Sequence, residues 1–327
     1  AARTVLEEGG ADYAWNLQVA PEVLEGLVAA GLGRVEVGFG ANLEHINLNQ
    51  TNPRGETPSA WNDGTNPHPF FVGEHAQVLA RALSLAINRE ELVAVGYGNS
   101  GAPGINVWNA EPAVSPNNDW ALTQDIDEAN RLLDEAGIVD TNDNGLREID
   151  GVDLIFDYYT STNAVRQDFQ SLIQGYWSQI GVGVSLRNAN ASIFFGPATN
   201  DFSYLKFLAD LQMYTFTPTL SDPQALLDDY TQAVLPTPDN GWAGDNVPRY
   251  VNEEYEALIA ELAATGDLEG RTNLSIQLND MLINDGVIIP LVWRGSQSAF
   301  ANDIQGVGTL NGWDSEYWNI ADWTREG

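Results

Sequence analysis

Between Asp153 and Leu186 the spacing of apolar residues changes period twice, and this constrains the fold more than any other stretch. Residues 153–159 alternate, as a strand does when one face is buried. From Ala164 to Ile180 the residues Val165, Phe169, Leu172, Ile173, Tyr176 and Ile180 recur at helical spacing. Val182, Val184 and Leu186 then restore the two-residue period. A strand, a helix and a strand in succession form a parallel crossover, because no tight turn can join parallel neighbours. The chain is therefore expected to be α/β, and its 327 residues favour two domains over one.

The rest of the chain punctuates itself in the same way. A short strand is expected at 12–17, and a helix from Pro21 to Ala30 carries Val23, Leu24, Leu27 and Val28 on one side. Alternation returns at 34–39 and 44–49. Residues 50–69, with Pro53, Gly55, Pro58, Gly64, Pro67 and Pro69, read as a connector. Further helices are expected at 124–136, 253–264 and 269–284, and Val287 to Trp293 is a strongly apolar strand.

Composition narrows the chemistry. With no cysteine there are no disulfides, thiolate metal sites or cysteine nucleophiles. The formal charge is −32 and Lys206 is the only lysine, so nucleic acid is excluded as a partner. Such acidity reads as a solvated surface. No apolar run has the length of a membrane span, and the opening at Ala1 lacks the basic and apolar pattern of a signal segment. There is no G-x-S-x-G elbow, phosphate loop or dinucleotide fingerprint.

The stretch from Glu74 to Gly104 holds the most recognisable motif. Val78, Leu79, Ala82, Leu83, Ala86 and Ile87 make one helix, and Asn88 with Glu91 three residues on makes a capping box that starts a second. The run ALSLAINRE, then Gly96-Tyr97-Gly98 and Gly101-Ala102-Pro103, closely resembles the start of the large lobe in the family 5 solute-binding proteins of ABC importers. Asn88 stands where that family has aspartate, and the arginine usual just after the valine is missing.

The resemblance implies a two-lobed fold of the periplasmic binding protein class II type. The run Gly10 to Val19 is similar to a segment well inside the family's first lobe, so the first lobe is expected to be incomplete. Residues 1–70 and 295–327 would form it, 71–294 would form the second lobe, and crossing strands near Leu48 and Leu291 would be the hinge. The implied partners are a peptide or oligosaccharide ligand and the membrane subunits of an importer, with an extracytoplasmic location and a monomeric state. In the cleft segment Asp222-Pro223 matches the family's DP, and the cleft tryptophan falls at Phe216. Peptide binders carry an aspartate four residues before this proline, where this chain has Thr219. Tyr214 and Phe216 are thus expected to hold ligand by stacking, or else to be strand residues facing a core. Trp242, in a glycine loop, is a further ligand candidate; Trp313, Trp318 and Trp323 are expected to pack the first lobe.

Two other chemistries compete. The loop with Asp140, Asn142, Asn144, Gly145 and Glu148 matches the first half of a calcium loop, although Gly151 replaces the bidentate glutamate at the twelfth position. Either it binds Ca2+ or it is a turn of Asx residues and glycine; no cofactor is otherwise required. His45, His68 and His75 lack the spacing of a zinc helix. An acidic glycoside hydrolase would need two carboxylates facing each other, and the cleft segment supplies only Asp222.

Overall fold

The structure, a computed structural model, describes residues 1–17, 19–53, 67–218, 220–310, 312–313 and 315–325. Most of the polar connector, and Thr219, lie outside the described residues. The strands are β1 (Tyr13–Ala14), β2 (Gly33–Gly38), β3 (Leu43–Leu48), β4 (Gly101–Pro103), β5 (Glu148–Ile149), β6 (Val152–Asp153), β7 (Ile155–Ser161), β8 (Gly183–Ala189), β9 (Leu211–Phe216), β10 (Ile288–Arg294) and β11 (Ser296–Ala301). The helices used below are α1 (Ala2–Leu6), α2 (Pro21–Val28), α3 (Ala76–Leu85), α4 (Arg89–Gly96), α5 (Ile126–Glu135), α6 (Ala164–Ser178), α7 (Ala191–Phe194), α8 (Gln224–Leu227), α9 (Glu253–Ala264) and α10 (Leu268–Asn284).

Two sheets organise the molecule. The larger has the order β4-β10-β3-β9-β7-β8, and the smaller the order β1-β11-β2. The expected crossover is present: β7 and β8 pair in parallel from Ile155 opposite Gly183 to Ser161 opposite Ala189, with α6 between them. Helix starts follow the side-chain chemistry of the sequence. Asn88 accepts from the Glu91 amide at 3.0 Å, so asparagine serves as the N-cap. Asp125 and Asp267 accept likewise from Glu128 and Gly270, both at 2.8 Å.

The larger sheet buries its two faces differently. Ile46, Leu48, Leu211, Met213, Ile289 and Leu291 join the core formed with α3, α4, α5 and α6. The alternate residues of the same strands include His45, Asn47 and Gln212, which are buried as well. A second core gathers α8, α9, α10 and the loop around Trp108. Phe156, Tyr158, Phe169 and Trp177 are fully enclosed in the first core. Each such ring contributes roughly 2–3 kcal/mol by leaving water.

Arg89, the arginine of the ALSLAINRE motif, is a staple. It is 1% exposed, and its guanidinium donates to the carbonyls of Gly104, Pro290, Ser84 and Ala121 at 2.9–3.0 Å and to the Ser84 hydroxyl at 2.7 Å. One side chain therefore fixes the end of α3, the turn after β4 and strand β10.

The smaller sheet rests on α1 and α2 through Val5, Leu6, Leu24, Leu27 and Ala299. Among the described residues it ends at β1 and β2, each with a single neighbour, and Trp15, Leu32 and Phe39 nearby are exposed. Open edges and uncovered apolar groups are what an incomplete first lobe entails.

The passage between the sheets differs from expectation. β3 pairs with both β10 and β9, so residues 43–48 belong to the larger sheet and the chain crosses at 39–42, upstream of the polar connector instead of near residue 70. Leu48 and Leu291 are fully buried within the larger sheet, and the passages between the sheets lie a few residues away from each. The return crossing is Gly295, between β10 and β11. Alternation marks a strand but does not say which sheet receives it. Gly295 is required by close approach, since a Cβ there would lie 2.6 Å from Val37 Cγ1. A Cβ on Gly40 would likewise collide with the Gly312 carbonyl oxygen.

Candidate ligand cleft

Two adjoining cavities, of about 480 and 650 Å³, open between the sheets. Trp15, Asn42, Thr217 and Ser296 line both. The first continues over Ser161, Asn163, Arg166, Asn190, Phe195, Thr215 and Arg294, and the second over Tyr13, Leu310, Trp313, Glu316 and Tyr317. These sizes fall within the range of small-molecule sites.

Local backbone chemistry sets the walls. Asn16 adopts φ 49°, a left-handed conformation that asparagine tolerates better than most residues, and Trp15 before it is 65% exposed at the cleft. Arg166 comes from the first turn of α6, which Asn163 caps by accepting from the Arg166 amide at 3.3 Å. Thr215 and Glu44 meet across the β9–β3 pair, and Arg294 is the last residue of β10.

At the floor, Glu44 is fully buried and accepts from Arg166 Nε at 2.6 Å and Nη2 at 3.3 Å, from Tyr97 Oη at 3.2 Å, and from Thr215 Oγ1. Burial pushes the Glu44 carboxyl up, but the Arg166 charge and hydrogen bonds outweigh it and hold the group below its ordinary value, ionised. The converse holds for Arg166, which burial would discharge and Glu44 keeps charged. Arg294 sits beside this pair with its guanidinium carbon 5.3 Å from the Tyr97 ring centroid.

The residues singled out from sequence fall elsewhere. Tyr214 and Phe216 lie on the sheet face opposite Thr215, against His45 at ring distances of 4.6 and 4.5 Å; Tyr214 also accepts from Asn47 at 3.0 Å. Of the two readings open for this pair, the arrangement is that of strand residues packed on neighbours, and the one-residue offset gives the cleft Thr215 instead. Asp222 is ion-paired with Arg271 at 2.6 Å and lines a separate small cavity with Pro223 and Leu268. Trp242 is buried, with Arg249 over its ring at 5.4 Å. Trp313, expected to be packing only, lines the cleft while stacking on Trp108 at 5.3 Å.

In the Asp140 loop the carboxylate accepts from the amides of Asn142, Asn144 and Gly145 at 2.7–3.3 Å, which holds its pKa low. Glu148 accepts from the side chains of Thr141 and Asn142. The oxygens are engaged with amide and hydroxyl donors as in an Asx turn. Among the described residues no group of three or more acidic or histidine side chains is placed to hold a metal. His68 is paired with buried Asp210 at 3.0 Å, and His45 is buried in the sheet.

Residues 2–234 match the description "Bacterial extracellular solute-binding proteins, family 5 Middle". The chain belongs to this family. The dipeptide-binding protein DppE of Bacillus subtilis is 24% identical over 240 residues, which cover 70% of this family 5 chain and 39% of DppE. The fold is shared with the oligopeptide-binding protein AppA of Bacillus subtilis, solved with a nonapeptide (TM-score 0.71, 17% identity, 100% of this chain and 58% of AppA). It is shared also with an oligopeptide-binding protein from Thermus thermophilus, solved with a pentapeptide (TM-score 0.73, 18% identity, 98% and 55%), and with NikA from Brucella suis, solved with Fe(III)-EDTA (TM-score 0.71, 16% identity, 99% and 59%). The family 5 chain thus spans between about two fifths and three fifths of the length of these relatives. Among the described residues no helix is long and apolar enough to cross a membrane.

Proposed function

We propose that this family 5 chain captures a peptide-like ligand between its two sheets, outside the cytoplasmic membrane, and presents it as a monomer to the membrane subunits of an ABC importer. The observation that carries the reading is the cleft itself, because residues of both sheets line the same two cavities. A ligand there touches Trp15 and Ser296 on one side and Arg166, Thr215 and Arg294 on the other. Contacts to both walls are complete only when the walls approach, so binding shifts the population towards a closed state. The crossings at 39–42 and at Gly295 are where that movement is absorbed.

Peptide is favoured over oligosaccharide because the cleft floor is charged, and because the relatives named above include a dipeptide binder and complexes with a pentapeptide and a nonapeptide. A hydrolase reading is disfavoured by Glu44, which Arg166 keeps ionised and unable to act as the general acid. Titration calorimetry against di- to pentapeptides and short glucans tests the proposal. Saturable binding of peptides without turnover supports it, and binding of glucans alone overturns it.

A further inference from the structure

Tyr97, at the centre of the Gly96-Tyr97-Gly98 turn, is not among the residues lining the ligand cleft. With Ser100 just after it, Tyr97 walls a separate cavity of about 400 Å³ on the far side of the smaller sheet. Strand alternation keeps the two spaces apart. Gly38 and Ser296 line the cleft, and Ser298 donates to Glu316 there at 2.5 Å, whereas Val35, Val37 and Gln297 of the same two strands face the other cavity.

Both halves of the fold supply its walls. Leu24 and Val28 of α2 come with Val35 and Val37 from the smaller sheet's side, and Tyr97 and Ser100 from the larger's. The junction around it is close. A Cβ built on Gly98 would lie 3.1 Å from Pro21 Cβ at the start of α2, and the Gly295 amide donates to the Ser100 carbonyl at 2.7 Å. Gln297 donates to the Ser100 hydroxyl. The cavity therefore sits behind the crossing at Gly295, with the ligand cleft in front of it.

Two features join this space to the cleft. A rotation about the crossings that brings the front walls together parts the rear walls, as at the two ends of a lever. Tyr97 also spans the distance: it lines the rear cavity, yet its hydroxyl donates to Glu44 under the cleft floor at 3.2 Å and its ring lies 5.3 Å from the Arg294 guanidinium. The lining sets the chemistry of an occupant. Aliphatic side chains and the tyrosine ring make most of it, and Asn99, Ser100 and Gln297 add neutral polar groups. Among the described lining residues none is basic and the one carboxylate, Glu25, is exposed, so neither an anion nor a cation is matched inside. The size is that of a small-molecule site.

We propose that this rear cavity is a second binding site, for a small uncharged amphiphile with an aliphatic body and one hydroxyl or amide group, and that its occupation favours the closed cleft. The coupling, though not the site, rests on the capture reading above. A molecule filling the space holds the rear walls apart and so opposes reopening of the front; by linkage, a captured peptide tightens its binding in turn.

Titration calorimetry of the full chain with n-octanol tests the site. Saturable binding is expected in the native chain and is expected to be lost in Ala29→Trp and in Asn99→Trp, which bring an indole to the cavity from opposite walls. No saturable binding by the native chain, or native affinity in both variants, overturns the site. Saturating n-octanol is then expected to tighten the binding of tri-alanine about fivefold or more. Unchanged or weakened affinity overturns the coupling and leaves the site standing. A chain that takes up n-octanol but no peptide overturns the capture reading, and the coupling with it, but not the site.

Discussion

Replacing Glu44 by glutamine probes the ion pair under the cleft. The native carboxylate is fully enclosed and receives Arg166 on two nitrogens, with Tyr97 and Thr215 completing its shell. Glutamine keeps the volume but removes the charge, leaving two buried guanidinium groups facing no anion. Breaking one side of a buried pair costs about 3–5 kcal/mol. At an unfolding entropy of about 2.1 cal/mol/K per residue, 327 residues give about 0.7 kcal/mol/K, so the melting temperature falls by about 4–7 °C. The sign of the pH dependence follows from the lowered pKa of Glu44. Its stabilisation is complete above the ordinary carboxylate value of 4.5 and disappears as pH falls through the lower folded value, so the difference between native and variant chains narrows in acid. Calorimetric melting at neutral and acid pH reads both effects. The double variant Glu44→Gln, Arg166→Met should be less damaged than the single one, because one of the two stranded charges, the one hydrogen-bonded to Glu44, goes too. A Glu44→Gln chain that melts within about 1 °C of the native one would refute the reasoning.

His45 is held at about 4 by burial, against an ordinary 6.5. The unfolded chain therefore takes up a proton that the folded one refuses, and about 3 kcal/mol of stability is lost between pH 6.5 and 4; His45→Gln should flatten that part of a urea-denaturation pH profile, and an unchanged slope contradicts the assignment. Arg89→Lys cannot reproduce a planar fork that serves four carbonyls and a hydroxyl. It should cost about 3 kcal/mol in urea denaturation, and a loss below about 1 kcal/mol would show that the fork is dispensable. At the Asp140 loop, millimolar calcium or its chelation is expected to leave the melting temperature unchanged, because the carboxylates already have their donors; a rise on adding calcium would show that the loop rearranges into a cation shell.

Much of the fold was legible because periodicity reports which elements bury a face. The crossover at 153–186 and the capped helices around Asn88 and Asp267 are examples, with ends set by short polar side chains. The cleft was less legible. On β9 the aromatic residues attract attention, yet strand alternation turns Tyr214 and Phe216 to one side and Thr215 to the other. Nothing in a lone strand tells which side faces the second sheet. Arg294 and Arg166 left a fainter signal: in a chain with few basic residues, an arginine closing an apolar strand or opening a helix is worth notice. Glu316 could not be found this way, since its meaning depends on Tyr13 and Ser298, which are distant in sequence.

Hydrogen exchange with and without a bound short peptide tests clamping between two walls most directly. Amides at 13–17 and 295–298 on one side, and at 161–166 and 215–217 on the other, should slow together when peptide is added, with the crossing at 39–42 changing as well. Protection confined to one sheet, or appearing only away from Trp15 and Arg294, would contradict the account.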